Sequence, residues 1–125
     1  MNLSWKRLHV HTRYPFRIAR PGASVDGVDV HRIVVRIEHD GIKGYGEAAP
    51  APYYKQDLDS VERTLKTIQM SMPPSPDPIF EWIDSLLDRF DDQRATVCAL
   101  DAALHDWLGK KNHVPVWESL GLSST

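Results

Sequence analysis

The chain has 125 residues, enough for a single domain that buries roughly two thirds of the surface its unfolded form exposes. With 15 basic and 17 acidic residues, a formal net charge of −2, it carries no field that would recruit nucleic acid or an anionic membrane surface. One cysteine leaves no disulfide framework and no thiolate zinc site; no apolar run reaches membrane-spanning length and the N-terminus has no signal-like apolar region, so the expected location is cytoplasmic.

Residues 3–11 mix apolar side chains with Lys6, Arg7, His9 and His11, as a half-exposed strand does; Leu8 and Val10 share one face and the two histidines the other. Two histidines on one strand face are potential metal ligands. With no third His, Cys or carboxylate nearby in sequence, however, they read as solvated, and no metal ligand is assigned. Residues 14–29 break the pattern with Pro15, Pro21, Gly22 and Gly27, and a connection of that length suggests a functional lid. The clearest strand is 30–39, in which Ile33, Val35 and Ile37 alternate with Arg32, Val34, Arg36 and Glu38. Asp40-Gly41 is a type I′ hairpin signal, and 42–48 returns antiparallel with Gly44 and Gly46 on one face, where a helix is expected to come close.

After residues 49–55 come helices. Leu58, Val61, Leu65 and Ile68 mark the first, with Asp59 and Glu62 as its expected capping box. The proline-rich stretch 72–78 follows as a linker, Asp77 being the expected cap and Pro78 the first helical residue of the next segment; Ile79, Trp82, Ile83, Leu86, Leu87 and Phe90 then line one face. Residues 95–111 read as the organising helix, with Val97, Leu100, Leu104, Trp107 and Leu108 on one face and alanines on its flanks. Asn112 or His113 can take the left-handed turn after it, and Pro115 opens a short segment closed by Gly121. The expected fold class is α+β, a three-stranded antiparallel meander followed by a helical bundle.

Known catalytic loops are missing: there is no phosphate-binding glycine loop, no nucleophile elbow and no His-Glu-x-x-His. Cys98 reads as a small buried apolar residue, Glu47 as a carboxylate binding backbone amides at a strand end, and Asp101 with His105 as a helix-surface hydrogen bond or a contact to a neighbouring loop rather than an acid/base pair. No catalytic residue is assigned.

Three stretches in register, 44–48 (Gly-Tyr-Gly-Glu-Ala), 99–111 and 114–121, resemble the N-terminal capping domain of the mandelate racemase/muconate lactonizing branch of the enolase superfamily. The resemblance covers residues 3–122, and within the branch residues 14–20 are most similar to dipeptide epimerases of the L-Ala-D/L-Glu type; Asn112 and His113 stand where the family usually has an apolar residue and a glycine. It implies an enolase-type capping domain over 1–122, with 123–125 leading into a modified (β/α)-barrel that is absent from this sequence. In the full-length isomerase, lysines and a Mg2+ held by carboxylates would sit on that barrel, so neither the metal ligands nor any catalytic group falls within this chain, which is expected to bind no cofactor and to be inactive alone. Such a chain would be a truncated gene, a fragment or a dissected domain. The implied substrate is a small acidic dipeptide or related carboxylate, met by Arg20 or Arg17 in the first connection and Tyr53 in the second; the implied protein partners are the barrel and a second copy in a homo-oligomer. Cycloisomerase or o-succinylbenzoate synthase chemistry is the alternative within the family, and a free-standing non-catalytic interaction module the alternative outside it.

Overall fold

Two glycines decide how the sheet meets the helices. In the computed structural model, which describes residues 1–14 and 29–123, β1 (Asn2–His11), β2 (Asp29–His39) and β3 (Ile42–Ala48) form an antiparallel sheet in the order β1-β2-β3. The tight turn at Asp40 and Gly41 has φ of 51° and 75°, the mirror-image geometry that suits the twist of a two-residue hairpin. Four helices follow: α1 (Leu58–Met70), α2 (Ile79–Arg89), α3 (Arg94–Asn112) and α4 (Val116–Ser119). The α+β architecture expected from the pattern of hydrophobicity is the one observed.

The strand register sets the core. Leu3 opposes Ile37 and Trp5 opposes Val35 across β1 and β2, while Ile37, Val35 and Ile33 oppose Gly44, Gly46 and Ala48 across β2 and β3, so one face of the sheet is apolar along most of its length. The helices cover that face with Val61, Leu65, Ile68, Ile79, Leu86, Val97, Leu100, Leu104 and Trp107, all buried. Each such side chain contributes about 1.5–3 kcal/mol on leaving water. Against β3 the helix side needs no side chain at all: a Cβ on Gly44 would lie 2.0 Å from the Ala103 carbonyl oxygen and one on Gly46 1.9 Å from that of Ala99. The strand and α3 thus meet backbone to backbone. Asp106 fixes the contact by accepting from the Tyr45 N–H at 2.8 Å and from Lys110 Nζ at 2.6 Å, and the Trp107 indole donates to the His39 carbonyl at 3.3 Å.

Several local expectations are revised. The buried face of β1 is the one carrying Leu3 and Trp5, with His9 and His11 at its far end; Leu8 and Val10 lie on the open face. The capping box of α1 is Asp57 with Ser60 rather than Asp59 with Glu62, because both of those carboxylates turn to Arg7 on β1. Pro78 itself is the N-cap of α2, at φ −80° and ψ 124°, and Asp77 instead pairs with Lys111 of α3. His113 takes the left-handed position after α3, at φ 58°, and the Val114 N–H donates to the Gly109 carbonyl at 3.0 Å, so the corner closes without a glycine.

Candidate functional site

The connection between β1 and β2 and the one between β3 and α1 leave the same end of the sheet, since β1 ends at His11, β2 begins at Asp29 and β3 ends at Ala48. Connections gathered at one end of a rigid scaffold are where binding residues concentrate. Arg17 and Arg20 belong to the first connection and lie outside the described residues.

The second connection is held by its own backbone and by one side chain. Pro52–Tyr54 forms a single 3-10 turn, in which the Tyr54 N–H donates to Ala51 O and the Lys55 N–H to Pro52 O, both at 2.9 Å; Lys55 leaves the turn at φ 56°. The buried Gln56 amide then bridges to the corner before α3, its Nε2 donating to Asp92 O at 2.8 Å and its Oε1 accepting from the Ala95 N–H at 3.1 Å. Asp57, next in sequence, accepts from the Ser60 N–H at 2.7 Å and starts α1; that backbone donor, chiefly, holds its carboxyl below the usual range. Tyr53 and Tyr54 are thereby presented on a fixed turn, both largely exposed, with ring centroids 5.0 Å apart and planes at 89°. A cleft of about 380 Å³ lies beside Tyr54, lined also by Ala49, Ala51, Gln56, Asp91, Asp92, Arg94 and Ala95. One tyrosine ring, small apolar groups, a guanidinium and two carboxylates thus surround the cleft, a mixed lining in which Arg94 is balanced by Asp91 and Asp92.

The end of the β1–β2 pair adds a polar cluster that sequence reading leaves incomplete. Asp29 Oδ1 lies 3.0 Å from His9 Nε2 and 2.6 Å from His11 Nδ1, and the His31 ring stacks on His9 with centroids 4.4 Å apart and planes at 14°. The hydrogen bond from His9 is the main reason the Asp29 carboxyl is held below its ordinary range. The absent signal was the register: His11 and Asp29 are strand partners although the long connection separates them in sequence.

The other expected groups serve the scaffold. His105 Nε2 is 3.4 Å from Asp101 Oδ1, and its ring meets Phe80 of α2 edge to face at 5.5 Å, which puts the pair on the α2–α3 seam. Glu47 binds no backbone amide among the described residues; it faces Arg32 at 3.4 Å on the open side of the sheet. Cys98 is exposed rather than buried, because it sits on the flank of α3 turned away from β3. Asp106, Gly44 and Gly46, all within the stretches that carry the family resemblance, dock the sheet on the helix, and no local pattern in the sequence marks Asp106 for that task.

The model of the mandelate racemase/muconate lactonizing enzyme N-terminal domain matches residues 4–121. The chain is 36% identical over 94 residues to an L-Ala-D/L-Glu epimerase of Bacteroides thetaiotaomicron, covering 73% of this chain and 24% of that protein. It is 29% identical over 124 residues to an L-Ala-D/L-amino acid epimerase of Maribacter sp., covering 99% and 36% respectively. It therefore spans about a quarter to a third of the length of these curated relatives. Among solved structures, the dipeptide epimerase of Methylococcus capsulatus complexed with a Mg ion superposes with a TM-score of 0.76 at 21% identity, over 95% of this chain and 32% of that one, which is a likeness of fold.

Proposed function

This chain belongs to the mandelate racemase/muconate lactonizing enzyme family, as its N-terminal domain, and from that premise we propose that it is the substrate-capping part of a dipeptide epimerase. The observation that carries the reading is the pair of connections leaving one end of the sheet, in a chain whose matched relatives are named as epimerases of alanyl dipeptides. In this reading residues 1–122 cap a barrel reached through 123–125, and proton abstraction and return α to a carboxylate take place on that barrel in the cytoplasm. Mg2+ is the proposed metal of the whole protein. Among the described residues the one grouping of three or more possible ligands is two imidazoles and a carboxylate, which does not suit a cation that demands oxygen ligands, so no Mg2+ is assigned to them.

Substrate choice then falls to the connections. We assign Arg20 to a carboxylate at the far end of the dipeptide, in a bidentate charge-assisted contact; Arg17 is its nearest substitute, and Tyr53 packs on the apolar body of the substrate. In the whole protein, Arg20→Met is expected to cost about 2–4 kcal/mol, roughly 30- to 1000-fold in kcat/KM, on L-Ala-L-Glu and little on a neutral dipeptide. Exchange of the α-proton in D2O, followed by NMR, reads both substrates. Equal losses on the two, or none on either, remove Arg20 from the site, and exchange catalysed by the 125-residue chain alone would overturn the capping role.

A further inference from the structure

The chemistry at the end of the β1–β2 pair is not used by the capping role. Odd-numbered residues of β1 face the helices, and Arg7 is the last of them with a partner on α1, whose Glu62 accepts from its Nη2 at 2.9 Å. Beyond it the strand pair continues with His9 opposite His31 and His11 opposite Asp29, all exposed. Four side chains able to bind metal thus share one face of a two-stranded ladder where it outruns its helix.

Three of them converge. One ligand atom from each of His9, His11 and Asp29 lies within 4.8 Å of the other two, and His9 Nε2 and His11 Nδ1 approach the same carboxylate oxygen, at 3.0 and 2.6 Å. In a tetrahedral site with bonds of about 2.0–2.2 Å the ligand atoms stand about 3.3–3.6 Å apart, so side-chain rotation on a fixed strand pair suffices to admit an ion among them. His31, stacked on His9, restrains that ring from one side. We propose that His9, His11 and Asp29 form a binding site for a divalent transition metal of the zinc type, with water completing its coordination. Two neutral imidazoles and one carboxylate are a borderline donor set that favours Zn2+, Cu2+ or Ni2+ over Mg2+. Because His11 precedes residues 12–28 and Asp29 follows them, the ion ties together the two ends of the connection that carries Arg17 and Arg20.

Isothermal titration of the purified protein with Zn2+ tests this. One equivalent is expected to bind, in the Cys98→Ser background as in the native sequence, and a large excess of Mg2+ leaves it in place. His11→Ala and Asp29→Asn, each checked for fold by circular dichroism, are expected to weaken binding at least about tenfold, while His113→Asn at the opposite end of the molecule does not. Visible absorption of bound Co2+ gives a second readout of nitrogen ligation, lost in the same two variants. Folded protein that takes up no stoichiometric Zn2+, or binding unchanged in the His11→Ala/Asp29→Asn double variant, would overturn the site.

Discussion

At Gly44 and Gly46 the smallest possible change is already too large. Alanine at either position puts a methyl group into a carbonyl oxygen of α3, and neither a strand nor a helix backbone can yield that far without parting. Gly46→Ala is expected to lower stability by at least about 3 kcal/mol, read as a fall in the urea midpoint. Gly41→Ala makes a useful contrast: its Cβ would meet nothing, and the cost is only that of holding an L-residue at φ 75°, about 1–2 kcal/mol. Equal midpoints for the two variants would refute the close approach. This contact is legible in the sequence because glycines two apart on a strand leave a bare strip on one face, and a bare strip implies something that fills it. Cys98 was not legible in the same way; apolar neighbours in sequence do not say on which side of a helix a given position falls.

At the scale of elements, α1 is tied down at both its start and its side by carboxylates. Asp57 caps it, and Glu62 accepts from Arg7 Nε at 3.1 Å and Nη2 at 2.9 Å. Hydrogen bonding to Arg7 holds the Glu62 carboxyl below its ordinary value, as the Ser60 N–H does for Asp57. A carboxyl whose folded pKa is depressed contributes stability that is present above its unfolded pKa, about 4 for Asp and Glu, and that is lost as pH falls through the folded value. Urea midpoints are therefore expected to fall between pH 7 and pH 3, and to fall less in the Asp57→Asn/Glu62→Gln variant, which starts lower. An identical pH dependence in variant and parent would show that other groups control it. Asp59 and Glu62 have the local spacing of a capping box, and local spacing is what a sequence displays. Their actual partner, Arg7, lies 52 and 55 residues away, a distance that only the packing of α1 on β1 closes.

For the whole molecule, the question is what covers its remaining apolar surface. Trp117 on α4 and Leu120 and Leu122 just beyond it are each at least 42% exposed, and α4 itself packs against α3. Surfaces of this kind drive association when contiguous. The 125-residue chain alone is expected to self-associate in sedimentation velocity, and the Trp117→Ser/Leu120→Ser/Leu122→Ser variant to shift it toward monomer; a native chain that is monomeric at all concentrations would contradict this. The meander, the helices and their order were legible from periodicity and turn chemistry. The polar cluster of His9, His11 and Asp29 was not, because a register across a long connection is written in no single stretch of sequence. The fastening at Gln56 works the other way round. Its amide holds a carbonyl of residue 92 and an N–H of residue 95, groups that every amino acid supplies except that proline lacks the N–H. Changing a side chain in that corner therefore leaves both bonds to Gln56 in place, whereas one inserted or deleted residue between 92 and 95 would shift the tyrosines relative to whatever they bind.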